Sequence, residues 1–175
     1  MRAIARLGTL PVAIAVLTAI TALYYALVAF GNITDFGTNQ AFVDHVLEMD
    51  TTFKDPDVMW RHISNNTIAN IAYFGVILWE SLIAIVLGVA FVHWLIRDYK
   101  IARRLSTLGW IMVLILFAGG FITIGGEWFQ MWQSKTWNGL TPALQNVIIA
   151  GFGMILANLP FTSSGYRDTT PESHR

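Results

Sequence analysis

Residues 70–91 read NIAYFGVILWESLIAIVLGVAF, apolar over the width of a bilayer with one charge, Glu80, near the middle. A run of this length with a single charge predicts a membrane-spanning helix. An ionisable side chain at bilayer depth costs on the order of 2.5 kcal/mol or more on insertion scales. Glu80 is therefore expected to face protein or water, with the other helices arranged around its own. About ten residues of helix, at about 1.5 Å each, put it roughly 15 Å deep, near the midplane.

The composition agrees with that reading. The chain has 175 residues, is 55% hydrophobic and only 13% charged, with a mean hydropathy of +0.55. Soluble domains carry about 25% charge, so the class is integral membrane protein. Net charge is zero, and no basic run is dense enough for nucleic acid. The absence of cysteine excludes disulfides, zinc–thiolate sites, iron–sulfur clusters and thiol nucleophiles.

Working outward from that stretch, three more spans emerge. The apolar run at 7–30 follows Arg2 and Arg6 and is too long for the roughly 7–15 residues of a signal core, so a retained helix is expected. Pro11 lies in its first turn, where proline is tolerated. The central helix covers about 70–95. A connection rich in Arg97, Lys100, Arg103 and Arg104 leads to a third helix at about 105–124. Thr141 and Pro142 then open a fourth at about 141–159, which Pro160 stops. The expectation is an all-α, four-helix transmembrane bundle over residues 1–160, with a polar, disordered cytoplasmic tail at 161–175.

The outer loops fall at 31–69 and 125–140. The first holds AFVDHVLEM, whose apolar residues recur at helical spacing, with Thr38 or Asn39 as cap. Asp55-Pro56 predicts a second short helix carrying Val58, Met59, Trp60 and Ile63. In the second loop, the glycines of GGEWF predict a reversal at the membrane surface. Of the eleven Lys and Arg residues, Lys54, Arg61 and Lys135 fall on the loop side and the other eight on the opposite side. Both termini are thus expected in the cytoplasm. Trp60, Trp94, Trp128, Trp132 and Trp137 lie near the expected interfaces, as an aromatic belt requires.

Several groups could carry chemistry. Thr18, Thr21 and Tyr25 form one stripe on the first helix and could hydrogen-bond Glu80. That set reads either as a proton- or cation-handling or quinone- or lipid-anchoring carboxylate, or as a protonated carboxyl that fixes packing. Gln145, Asn146, Asn158, Asn66 and Asn70 could tie helices or line an outer mouth, each interhelical bond contributing roughly 0.6–2 kcal/mol. Ala84 with Gly88, and Gly153 with Ala157, have the small-xxx-small spacing of close helix approach. His45, Asp44, Glu48, His62 and Glu127 are metal-capable, but no histidine pair has i,i+4 spacing, and no metal or cofactor is expected. Phosphate loops, serine elbows and H-E-x-x-H are absent. The sequons at Asn32 and Asn65 are weak patterns.

The stretches GNITDFGTNQAFVDHVLEMDTTF, MWRHI and GGEWFQMWQSKTWNG carry a resemblance covering about residues 7–160. The chain resembles the bacterial family of predicted small integral membrane proteins with domain of unknown function 2165. The resemblance implies four helices and the inner membrane, without an activity. The family's character lies in Asn32, Asp35, Asn39, His45, Asp50, Trp60, Glu127, Trp128, Trp132 and Trp137, taken here as an outer interaction face. Two functions are therefore expected in competition. One is a non-enzymatic accessory subunit whose partners are membrane lipids and a larger membrane complex or further copies of itself. The other is a small carrier or quinone- or lipid-binding protein using Glu80.

Overall fold

The computed structural model describes residues 8–160. Its helices are α1 (Leu10–Thr34), α2 (Phe36–Glu48), α3 (Asn66–Leu95), α4 (Tyr99–Leu114) and α5 (Leu140–Asn158). Helix α4 continues without interruption as a π-helix over Ile115–Trp128, and 3-10 turns occur at Met59–Arg61 and Met131–Gln133. Four helices are long and apolar enough to cross a membrane: α1, α3, α4 with its extension, and α5. The expected residues Arg2, Arg6 and Leu7 and the tail at 161–175 lie outside the described residues.

Each span buries one narrow face. On α1 it is Ile14, Thr18, Thr21, Tyr25, Ala29 and Asn32; on α5 it is Ala143, Asn146, Ala150, Gly153 and Ala157. Steps of three and four residues keep such a set on one side of a helix. The opposite sides carry Ile20, Leu23, Leu27 and Phe30 on α1 and Leu78, Ile85 and Val92 on α3, all exposed, as hydrocarbon contact requires. Helix α3 packs between α1 and α4, while α5 packs on α4 and closes back onto α1.

Lipid supplies little hydrophobic drive between helices, so close approach matters more. A Cβ on Gly153 would come within 2.4 Å of the Trp110 ring, and one on Gly109 within 2.4 Å of Leu87 Cδ2. Both receiving side chains are fully buried. Of the expected pair Ala84 and Gly88, Ala84 packs against the core, whereas a Cβ on Gly88 meets nothing within 4 Å among the described residues.

Helix ends differ from expectation where polar caps, invisible to hydropathy, set them. Helix α4 starts at Tyr99 rather than 105, because the Asp98 carboxylate accepts Ile101 N–H. Lys100, Arg103 and Arg104 consequently belong to the helix and not to the connection. The tight turn before it places Arg97 at φ 63°. Asn65 caps α3, its side chain accepting from Thr67 and Ile68 N–H. Helix α1 runs on to Thr34, so Asn32 is helical and not in a loop. Helix α2 begins at Phe36, ahead of the Thr38 or Asn39 cap; the Thr38 hydroxyl instead donates to the Asp35 carboxylate. The second loop helix is reduced to the turn Met59–Arg61, since Val58 and Met59 N–H both converge on Asp55 C=O. Helix α5 opens at Leu140, where Asn138 Oδ1 accepts Leu140 N–H, ahead of Thr141 and Pro142.

The largest departure is at GGEWF. Gly125 to Trp128 continue α4 instead of reversing it, and Gly125 and Gly126 are buried. The coil there is wide: Thr123 Oγ1 donates to Ala118 C=O at 2.8 Å, and Phe129 N–H to Ile124 C=O at 3.0 Å, both i→i−5. π-helices usually occur as single turns inside α-helices, whereas this one covers 14 residues.

Candidate functional site

The buried face of α1 carries three polar contacts, each to a different helix. At one end Trp94 Nε1–H donates to Ser106 Oγ at 2.9 Å, and Ser106 lies 3.3 Å from Thr18 Oγ1. The Thr18 proton is committed to Ile14 C=O at 2.8 Å. Each hydroxyl has one proton to give, so Ser106 donates to Thr18. In the middle, Tyr25 O–H donates to Asn146 Oδ1 at 2.7 Å, and Asn146 Nδ2 donates to Pro142 C=O. At the other end, Asn32 Nδ2 donates to Glu80 Oε2 at 2.7 Å. Helix α1 is thereby hydrogen-bonded to α4, α5 and α3 in turn.

This arrangement corrects the expected environment of Glu80. Thr18 bonds to Ser106, and Thr21 bonds to its own backbone at Leu17 C=O. Thr18 and Asn32 are separated by fourteen residues, about 21 Å of helix at 1.5 Å per residue. The stripe Thr18, Thr21 and Tyr25 is real as a buried face, but it lies below the carboxylate. Glu80 reaches instead the last turn of α1, near the C-terminal end of that helix and away from its midpoint.

Glu80 is 4% exposed, and the donor that reaches it is itself held. Asn39 Nδ2, at the start of α2, donates to Asn32 Oδ1 at 2.6 Å. Tyr73 O–H donates to Asn32 C=O at 3.4 Å, and its ring packs against Phe36 at a tilt, centroids 4.6 Å apart. A line of amides thus runs from the exposed Asn39 through the buried Asn32 to the carboxylate. An acceptor in a dry site needs such donors. Tyr73 was not singled out from the sequence, although it sits seven residues before Glu80, on the same helix face.

Beyond this end of α1 lies a cap built from the segments at 35–65 and 129–139. Thr51 Oγ1 donates to Ser134 Oγ at 2.8 Å, and Phe53 N–H to Gln133 Oε1 at 2.8 Å. His45 pairs with Asp50 at 2.7 Å and stacks on Trp137 with ring centroids 4.5 Å apart. The Arg61 guanidinium lies 5.6 Å from the Trp60 ring and 4.8 Å from the Trp128 ring, which meet edge to face. Trp132 meets Phe53 edge to face at 5.8 Å. Glu127 is exposed at the end of α4, and its carbonyl accepts from Gln130. Arg61, Glu127 and Trp128 line an open groove of about 700 Å³. Arg61 was expected only as a loop-side charge; its position next to Trp60 was the available signal.

The remaining expected residues divide. Asn158 Nδ2 donates to Thr107 Oγ1 at 3.1 Å, tying α5 to α4. Asn66, Asn70 and Gln145 are exposed. Trp94 is buried in the bundle and is not part of an interfacial belt. Asn32 and Asn39 belong to the Glu80 cluster, whereas Asp35 serves Thr38. Among the described residues no three His, Asp or Glu side chains come together to hold a metal.

Four apolar spans joined by buried polar contacts, with a folded cap at one end, define a polytopic helical membrane protein. Residues 10–160 match the family described as predicted small integral membrane protein (DUF2165), and the chain belongs to that family. No curated protein and no solved structure matches the chain.

Proposed function

We propose that the protein is a non-catalytic accessory or interaction subunit of a larger membrane complex, placed in a bacterial inner membrane with both termini cytoplasmic. The observation that carries this reading is the ordered aromatic surface of the cap. Phe53 and Trp60 are 71% and 68% exposed, yet each is held by ring or cation contacts, Trp60 by Arg61 and Trp128, and Phe53 by Trp132. Exposed aromatics held in place lose little conformational freedom on docking, and Trp and Arg are enriched among interface hot spots.

The test is purification of the native protein in mild detergent with mass spectrometry of what accompanies it, alongside a Trp60→Ser/Trp132→Ser variant. A stoichiometric partner retained by the native protein and lost from the variant is expected. A native protein that purifies only as monomer or homo-oligomer overturns the reading.

A second reading rests on a different observation, the amide line from exposed Asn39 to buried Glu80. It would make the protein a small proton or cation carrier, or a quinone- or lipid-binding protein, acting through that carboxylate. Glu80→Gln distinguishes the two. Loss of a proton-coupled phenotype with folding intact supports the carrier; an unchanged phenotype removes it.

A further inference from the structure

At the end of the bundle away from the cap, the first turns of α4 and the last turn of α5 enclose an open cleft of about 640 Å³. Its walls are joined by two bonds. Arg103 Nε donates to Ala157 C=O at 2.6 Å, and Asn158 Nδ2 donates to Thr107 Oγ1 at 3.1 Å. The cleft is lined at its rim by Lys100, Arg103 and Arg104 and farther along α4 by Leu108 and Ile111, with no acidic side chain among the described residues that line it. Lys100, Arg104, Leu108 and Ile111 follow at steps of four, four and three, so they share one face of α4. All four are exposed.

We infer that this cleft is a binding site for an anionic glycerophospholipid of the adjoining leaflet. The order of chemistry along the helix is that of the lipid itself. Two cations lie where the helix begins, at headgroup level, and apolar side chains follow one and two turns deeper, at the level of acyl chains. On the wall between them, Asn158 Nδ2 is spent on Thr107 Oγ1 and Met154 C=O, which leaves the Thr107 hydroxyl proton as the donor facing the cleft. A free inorganic phosphate would use only the rim; an acidic peptide would have no use for the apolar half. Basic pockets between helices at such a boundary have the chemistry to hold acidic lipid headgroups. Arg103, pinned across the cleft to α5, keeps the rim open and charged by fixing one wall against the other.

Native mass spectrometry of the full chain in detergent micelles tests the assignment. Phosphatidylglycerol and phosphatidylcholine of matched acyl chains serve as probes. The native protein should retain phosphatidylglycerol about tenfold or more over phosphatidylcholine, given attraction from two cations. Lys100→Gln/Arg104→Gln should bring the two lipids to parity, whereas Lys135→Gln, at the opposite end, should leave the preference intact. If the double variant does not fold, Lys100→Glu alone must still lower the ratio severalfold. Equal retention of the two lipids by the native protein means annular contact only and overturns the site. So does a preference that survives both rim variants, or displacement of phosphatidylglycerol by millimolar inorganic phosphate.

Discussion

Asn32 decides the environment of Glu80, and its removal separates packing from chemistry. Asn32→Ala deletes the donor to Oε2 and the acceptor for Asn39, leaving a buried carboxyl unsatisfied; a loss of about 1–3 kcal/mol is expected. Glu80→Gln keeps an amide oxygen for Asn32 to bond, and should cost under about 1 kcal/mol. Thermal unfolding in detergent, followed by size exclusion, orders the two variants; equal losses would show that the bond is not what holds this end of α1. The glycines give a second contrast. Gly153→Ala drives a Cβ into Trp110, and overpacking of this kind costs about 1–3 kcal/mol, whereas Gly88→Ala projects into open space and should leave the midpoint unchanged. The sequence announced Glu80 by its charge in an apolar run. It could not announce the partner, because which residues of two helices meet depends on their stagger, and α1 and α3 are offset so that the last turn of one faces the middle of the other.

At the scale of elements, hydropathy located all four spans because lipid contact demands long apolar faces. Their ends were less legible, since Asp98, Asn65 and Asn138 act by accepting one or two backbone N–H groups, a local effect that a window average smooths away. Asn65→Ala should therefore destabilise the start of α3 by about 0.5–2 kcal/mol, measurable as faster amide exchange at 66–69 with the C-terminal half of the helix unaffected. The cap is held by few hydrogen bonds and by ring contacts, two of them stacks, His45 on Trp137 and Phe42 on Phe121. Trp137→Ala removes the surface on which His45 and Phe42 rest. Exchange should then rise in the second half of α2, around His45, while the first half stays held by Asn39, by Phe36 on Tyr73 and by Phe42 on Phe121, and the spans stay protected. Unchanged protection in α2 would assign the cap's order to the Thr51–Ser134 and Phe53–Gln133 bonds instead. The length of the π segment had no sequence signal: ILFAGGFITIGGEW reads as an ordinary apolar helix ending in a turn.

For the molecule as a whole, the charge asymmetry makes a prediction that the cysteine-free sequence renders easy to check. With Lys54→Cys and Arg97→Cys introduced singly, a membrane-impermeant maleimide applied to intact spheroplasts should label the first and reach the second only after lysis. Labelling in the reverse order would invert the bundle and move the aromatic cap to the cytoplasm. The π-helical half of α4 bears on a different property of the assembled bundle. A wider coil climbs less per residue, so the thirty residues from Tyr99 to Trp128 reach less far than the thirty of α3. A membrane's thickness sets the hydrophobic length that each span must supply, and over Ile115–Trp128 α4 meets that demand with more residues per ångström than α3, its girth fixed by the buried Phe117, Gly125 and Gly126.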